Sequence, residues 1–177
     1  MSILDSFVPQ NVAADGNCFY RAVSLGLYGT EDRHAKLRAD CMAAFLRKKD
    51  SYAVYFESME KFIRCVHANK RDGVWNTDIS DMTPDVVADM LGVHIAVYNK
   101  NIFSGAVDAP AEFNAGATTT VRLLRVANCH YNLLAPKPAA PVDLSDDEVE
   151  IVEEDQPERV DDDVYYIEMK PKPIVVE

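Results

Sequence analysis

The spacing of apolar residues divides the chain into a helical first half and a second half with strand character. Apolar side chains at three- and four-residue steps predict four helices, at residues 18–28, 31–49, 52–66 and 84–91. Runs rich in β-branched and aromatic residues predict three strands, at residues 93–99, 118–126 and 130–134. Helices that precede the strands favour an α+β fold, with a small β-sheet packed between helices.

Short polar residues and glycines predict where these helices begin and end. Asn17 is the predicted cap of the first helix and Gly29 its stop, while Thr30 and Ser51 open the second and third helices. These boundaries put Cys18 at the first position of a helix. Main-chain amides at that position have no partner within the helix, so they are free to face a neighbouring group.

Charge is distributed unevenly along the chain, whose formal net charge is -11. Residues 1–140 hold 15 acidic and 15 basic side chains, whereas residues 141–177 hold 14 acidic and three basic ones. A body without a basic surplus argues against nucleic-acid binding. We predict a folded domain over residues 1–135, and we interpret residues 136–177 as a Pro-containing linker with an acidic, mostly disordered tail.

The cysteines indicate a reducing compartment and no structural metal. Four of them lie far apart, without the Cys and His spacing of zinc sites: Cys18, Cys41, Cys65 and Cys129. The N-terminus lacks a basic segment followed by an apolar run, and no stretch of about 18 apolar residues occurs. We therefore expect a cytoplasmic or nuclear protein with reduced thiols and no membrane segment.

One cysteine and one histidine have the surroundings of a thiol catalyst. A helix N-terminus predicts a lowered pKa for the Cys18 thiol, because unpaired amides face the sulfur. The preceding turn, Asp15-Gly16-Asn17, contains a glycine that lets successive amides point into one hollow. Such a hollow is a candidate oxyanion hole.

A general base is offered by His130 at the start of the last predicted strand. Asn132 lies two residues further on, so period-two alternation puts both side chains on the same face. The amide oxygen of Asn132 can accept the proton of one imidazole nitrogen while the other nitrogen faces Cys18. From the residues alone, the alternative is that Cys18 is an inert core cysteine.

Three segments carry a resemblance to a known family. They are D-G-N-C-F-Y-R-A at residues 15–22, Trp75 ahead of a predicted helix and strand, and N-C-H-Y-N-L at residues 128–133. Their order, spacing and local structures resemble the ovarian tumour (OTU) family of cysteine peptidases over roughly residues 8–135. The combination of an early D-G-N-C with a late H-x-N is more specific than a lone cysteine or histidine.

The resemblance implies a papain-like fold and a deubiquitinase that needs no metal or organic cofactor. It implies Cys18 as nucleophile, His130 as general base, Asn132 as the residue that orients His130, and Asp15 as the motif acid that shapes the oxyanion loop. Asp15 is also an alternative orienter of His130. The implied partners are ubiquitin or polyubiquitin chains, with ubiquitin-like modifiers as an alternative.

The sequence departs from the family pattern at Asn76, where the family more often has Gly. Trp75 and Asn76 are candidates to line the substrate cleft. A core anchor is an equally good interpretation of Trp75. A second departure is the compact helical region between residues 30 and 70. The substrate contacts there, and hence the choice between ubiquitin linkages, stay open.

The acidic tail contains a candidate binding motif. Val149, Ile151 and Val152 are flanked by acidic residues and resemble a SUMO-interacting motif, which binds by adding a strand to a sheet edge. The alternative is a solubilising tail with scattered aliphatic residues. Three other functions also stay open: a viral or transposon peptidase that processes its own polyprotein, a non-catalytic module that binds ubiquitin, and a scaffold that acts through the tail.

Overall fold

A five-stranded mixed sheet with helices packed on it forms the fold in the computed structural model, which describes residues 2–75 and 77–138. The strands are β1 (Phe7–Gln10), β2 (His94–Lys100), β3 (Ala111–Phe113), β4 (Thr120–Val126) and β5 (His130–Pro136). Their order across the sheet is β1-β5-β4-β2-β3. Strands β2 and β4 run parallel, and the other neighbours run antiparallel.

The helices differ widely in length. They are α1 (Ile3–Ser6), α2 (Cys18–Tyr28), α3 (His34–Arg47), α4 (Lys49–Tyr52), α5 (Met59–Asn69), α6 (Thr77–Ser80) and α7 (Thr83–Leu91), with a 3₁₀ turn at Ala53–Tyr55. Within the described residues, no helix is long and apolar enough to span a bilayer. The combination of helices and a mixed sheet confirms the predicted α+β class.

Alternate strand residues pack into a helical layer and form the main core. The buried positions on β2, β4 and β5 that join this core are Ile95, Val97, Val121, Leu123, Tyr131 and Leu133. Helices α2, α3, α5 and α7 supply the other side, including Phe19, Val23, Phe45, Phe62 and Val87. Each such side chain contributes about 1.5–3 kcal/mol by leaving water. Strand β5 lies between β1 and β4, so its residues are held from both sides.

The first predicted helix and the three predicted strands are confirmed with small shifts at their ends. Helix α2 spans the predicted residues, and Gly29 ends it in the left-handed conformation at φ 71°. Helix α7 begins with a proline in its first turn and ends at Gly92, also left-handed. Strand β5 continues to Pro136, which pairs with Phe7.

The second predicted helix begins later than predicted. Helix α3 starts at His34 rather than at residue 31. The Thr30 hydroxyl accepts a hydrogen bond from the amide of Asp32, and the amide of Arg33 donates to the Ser24 hydroxyl. These side-chain bonds hold residues 30–33 as a turn, because short polar side chains compete with helical main-chain bonds.

The prediction of one continuous helix over residues 52–66 is wrong. The chain forms α4 and a 3₁₀ turn, and α5 then starts after Ser58, whose hydroxyl accepts from the amide of Lys61. Tyr55 lies in the turn and is 75% exposed. The new cap at Ser58 restarts the helix with a different face toward the core.

Two strands at the edges of the sheet were absent from the prediction. Strand β1 contains Pro9, and β3 is only three residues long. Both pair with a longer neighbour, β5 and β2 respectively. Short edge strands take their conformation from pairing, which local composition does not report.

Candidate active site

The Cys18 side chain lies at the N-terminus of α2 and against the start of β5. Its exposed fraction is 4%. The Sγ atom lies 3.7 Å from the main-chain oxygen of Cys129, and the main-chain amide of Tyr131 also hydrogen-bonds the sulfur. The thiol therefore contacts the main chain on both sides of His130.

Burial controls the protonation of this thiol. It raises the pKa of Cys18 above the usual value, and hydrogen bonds from the amides of Tyr131 and Phe19 oppose it only in part. The carbonyl of Cys129 accepts from the thiol, which favours the neutral form. The predicted lowering of the pKa by the helix N-terminus is therefore wrong for the free protein, because desolvation outweighs the amides.

We expect this raised pKa to appear in the reactivity of Cys18. The rate of alkylation by iodoacetamide should rise with pH to a midpoint above that of glutathione in the same titration, because only the thiolate reacts. Mass spectrometry of the Cys18 peptide separates its rate from those of the other cysteines. A midpoint below that of glutathione would contradict this and would indicate a thiolate paired with an imidazolium.

His130 and Asn132 are hydrogen-bonded side by side on β5. The Nε2 atom of His130 lies 2.9 Å from Oδ1 of Asn132. The amide of Val12 donates to the same oxygen at 3.4 Å. A main-chain N–H can only donate, so it fixes Oδ1 as the acceptor and Nε2 as the protonated nitrogen. Nδ1 then carries the lone pair that a general base requires.

Asp15 is engaged by groups other than His130. Its carboxylate accepts from the guanidinium of Arg21, with the shortest contact at 2.6 Å, and from the main-chain and side-chain amides of Asn17. The Arg21 hydrogen bonds, followed by those of Asn17, hold the pKa of Asp15 well below its usual value. The described contacts of Asp15 thus lie within the loop before Cys18, while Asn132 contacts His130.

Asn17 occupies the N-cap position of α2 but makes no capping hydrogen bond with its side chain. Its side chain instead donates to Asp15 and accepts from Arg38 and from the amide of Gly73. Asn17 therefore lies at the predicted N-cap position, but the predicted capping hydrogen bond is absent. Its Oδ1 atom is occupied by donors from Arg38 and Gly73 instead. The amides of the first turn of α2 are left without a side-chain cap.

The oxyanion loop, residues 15–17, has fewer free amides than predicted. The amide of Asn17 donates to Oδ1 of Asp15 at 3.0 Å. Among the described residues, no acceptor is recorded for the amides of Gly16 and Cys18. These two amides are the remaining candidates to bind a developing oxyanion.

The oxyanion loop lies directly against residues 69–74. Gly16 has φ 77°, and a Cβ atom placed on it would lie 1.9 Å from the main-chain oxygen of Gly73. Gly73 is left-handed as well, at φ 70°. Only glycine allows both the conformation and the close approach at position 16.

Arg38 joins these two segments and was missed by sequence reasoning. Its side chain is buried, with 2% exposure for the residue, and donates to the carbonyl oxygens of Gly16, Asn69 and Val74 and to the side chain of Asn17. A signal did exist: Arg38 falls on the apolar face of its helix, a position where a charge requires a specific partner.

Trp75 packs among aromatic residues. Its ring centroid lies 5.8 Å from that of Phe19, 6.1 Å from Tyr20 and 5.7 Å from Tyr131. These contacts correspond to the core-anchor interpretation. A role for Trp75 in lining the cleft stays a prediction.

Several candidate positions lie outside the described residues. They are Asn76 and residues 139–177, which include Val149, Ile151 and Val152. The first residue of the predicted linker, Pro136, instead belongs to β5. The division at residue 135 and the SUMO-interacting motif therefore stay predictions. In the part of the chain that the structure describes, no group of three or more Cys, His, Asp or Glu side chains could hold a metal ion.

Comparison with protein families gives an independent result. The family model described as "OTU-like cysteine protease" matches residues 13–124. The matched span contains Asp15, Cys18 and Arg38 and ends before His130. It covers more than half of the chain.

Known proteins with this domain show distant sequence similarity. The chain is 25% identical to human "OTU domain-containing protein 5" over 71% of its own length and 22% of that protein. It is 33% identical to Arabidopsis thaliana "OVARIAN TUMOR DOMAIN-containing deubiquitinating enzyme 7" over 36% of its length and 17% of that protein. The chain thus spans about a fifth of the length of these relatives.

A solved structure shows the same fold. The Hazara virus OTU bound to ubiquitin superposes with a TM-score of 0.62 over 78% of this chain and 87% of the viral chain, at 18% identity. Agreement at that identity concerns the fold alone. It supports the papain-like arrangement implied by the sequence motifs.

Proposed function

Because the chain belongs to the OTU-like cysteine protease family, we propose that it is a thiol-dependent deubiquitinase that hydrolyses isopeptide bonds at the ubiquitin C-terminus. The observation that carries the proposal is the position of the Cys18 sulfur against the main chain on both sides of His130, whose Nε2 is held by Asn132. The sulfur thus lies against the strand that carries the base, and the base is hydrogen-bonded to an orienting group. A nucleophile, a base and an orienting group are the elements of acyl transfer through a covalent intermediate.

The first half of the reaction forms a thioester. The Nδ1 atom of His130 takes the Cys18 proton as the sulfur attacks the carbonyl carbon of the ubiquitin C-terminal glycine. The amides of Gly16 and Cys18 stabilise the oxyanion of the tetrahedral intermediate. His130 then returns the proton to the lysine amine as the carbon–nitrogen bond breaks.

The second half regenerates the free enzyme. His130 removes a proton from water, and the resulting hydroxide attacks the thioester carbonyl. The carbon–sulfur bond breaks, and the Cys18 thiolate takes the proton that His130 removed from water. Ubiquitin leaves as a carboxylic acid, which releases its proton to the solvent. A buried thiol with a raised pKa is compatible with this order of steps. The thiol proton moves to His130 while the sulfur attacks the carbonyl carbon, so a thiolate is not required beforehand.

Ubiquitin or a polyubiquitin chain is the proposed partner. The support is that the Hazara virus OTU, which shares the fold, is bound to ubiquitin in its solved structure. The proposal places the protein in the cytosol or nucleus, because the reaction requires free thiols, and all four cysteines are unpaired. No cofactor takes part in either half of the reaction.

The test is to incubate the full chain with ubiquitin that carries a C-terminal electrophile and to measure intact mass. We expect one covalent adduct, formed in an equimolar mixture within minutes. Prior alkylation of the chain with iodoacetamide should abolish it. SUMO with the same electrophile, in a parallel reaction, tests whether ubiquitin is preferred over a related modifier.

Absence of the adduct would contradict the proposal if iodoacetamide alkylates Cys18 in the same sample at the rate found in the pH titration of the folded chain. That result would favour the peptidase that processes a polyprotein or the binding-only alternative. Fluorescence polarisation of labelled ubiquitin separates the two, because only a binding module retains ubiquitin without reacting.

A further inference from the structure

Arg38 is a buried cation without an acidic partner. Its residue exposure is 2%, and within residues 2–75 and 77–138 no ion pair of Arg38 is recorded. Its guanidinium contacts five oxygens and also lies over the Tyr20 ring, with 4.7 Å between Cζ and the ring centroid. Burying a charged group is costly unless its N–H groups donate hydrogen bonds to acceptors in the protein. Arg38 therefore needs this set of contacts in order to be buried.

Three of these oxygens lie at the end of α5 and in the turn that follows it. They are the main-chain oxygens of Asn69, at 2.7 Å, of Arg71 and of Val74. The C-terminal carbonyls of a helix lack partners within it and form the negative end of its dipole. Arg38 therefore caps α5 from a different helix, and the dipole offsets part of the cost of its burial.

The other two oxygens belong to the oxyanion loop. Nη2 donates to the Gly16 carbonyl, and Nε donates to Oδ1 of Asn17 at 3.1 Å. The peptide between Gly16 and Asn17 is then held at both ends, because its N–H donates to Asp15. Without Arg38 this peptide can rotate, and the amides on either side of it would change direction.

We propose that Arg38 is a positioning residue, which holds the Gly16–Asn17 peptide so that the neighbouring amides of Gly16 and Cys18 point at the reacting carbonyl. The planar fork of an arginine reaches both segments at once, whereas a lysine has one nitrogen on a flexible chain. The proposal rests on the proposed function, since it assigns Arg38 an effect on that reaction. It acts through the loop and does not touch the substrate.

The experiment compares Arg38→Lys with Arg47→Lys in the hydrolysis of a fluorogenic ubiquitin amide. Arg47 lies on the same helix, exposed to solvent, and provides the same chemical change without the contacts. We expect kcat of Arg38→Lys to fall by about 10- to 100-fold, because misdirected oxyanion donors weaken transition-state binding. KM should change by less than about threefold, and Arg47→Lys should match the wild type.

Alkylation by iodoacetamide distinguishes positioning from general damage. That reaction needs the thiolate but no oxyanion hole, so the Cys18 alkylation rate of Arg38→Lys should stay within about twofold of the wild type. An equal loss of kcat and alkylation would overturn the proposal in favour of a purely structural role. A kcat equal to that of Arg47→Lys would also overturn it.

A second variant covers the case in which Arg38→Lys does not fold. Arg38→Ala is assayed with and without guanidinium at concentrations too low to denature the wild type. Recovery of kcat by at least about fivefold supports the proposal, and no recovery in a folded protein overturns it. If the wild type itself fails to hydrolyse the ubiquitin amide, the proposed function fails, which is distinct from equal rates in the two lysine variants.

Discussion

Replacing Cys18 by alanine is expected to lower the turnover of ubiquitin-linked lysine by about 10⁴-fold or more, because no thioester can form without the sulfur. The fold should persist: the side chain is small, and alanine keeps its Cβ atom at the start of α2. Cleavage of diubiquitin, followed by gel and by mass, measures the loss. Ubiquitin affinity should be retained in the variant, since the replaced atom takes part in the chemistry.

Cys129→Ala is the matched control for this prediction. Cys129 precedes His130 and is exposed, and it contributes a main-chain oxygen to the Cys18 contact rather than its thiol. Its replacement should leave diubiquitin cleavage within about twofold of the wild type, because surface substitutions away from specific contacts have small effects. Retained cleavage by Cys18→Ala, or a loss in Cys129→Ala as large as that in Cys18→Ala, would show that the nucleophile is assigned wrongly.

Gly16→Ala is expected to cost both stability and activity. An alanine at φ 77° is strained by about 1–2 kcal/mol, and its Cβ atom would lie 1.9 Å from the Gly73 oxygen. The oxyanion loop and residues 69–74 must separate to relieve that overlap, at a further cost of about 1–3 kcal/mol. Turnover should fall by about 10²- to 10³-fold, the effect of losing one oxyanion donor.

Gly105→Ala isolates the contribution of the close approach. Gly105 has φ 71°, and nothing lies within 4 Å of a Cβ atom placed on it. This variant should lose only the stability that the backbone strain costs, about 1–2 kcal/mol. Its activity should equal that of the wild type. Urea unfolding and ubiquitin-amide hydrolysis of both variants provide the comparison. Equal stability losses in the two variants would contradict the predicted overlap at Gly16.

The sequence predicted those parts of the site that depend on neighbours within a few residues. Asn17, followed by apolar residues at helical spacing, predicted that a helix begins at Cys18. The two-residue repeat of a strand predicted that His130 and Asn132 lie on the same face. The left-handed glycine at position 29 was predictable for the same reason, since a helix stop is a local event. The D-G-N-C and H-x-N motifs then supplied the family.

Interactions between distant segments decided the rest. Tertiary packing buries Cys18 and so reverses the predicted direction of its pKa shift. It also gives the Asn17 side chain to Arg38 and Gly73, 21 and 56 residues away, instead of to its own helix. The periodicity of a sequence predicts which face of a helix or strand is buried. It does not predict which hydrogen-bond donors from distant segments contact that face. For that reason the sequence alone predicted Cys18 as nucleophile and His130 as base, whereas only the folded chain shows that Arg38 contacts the oxyanion loop.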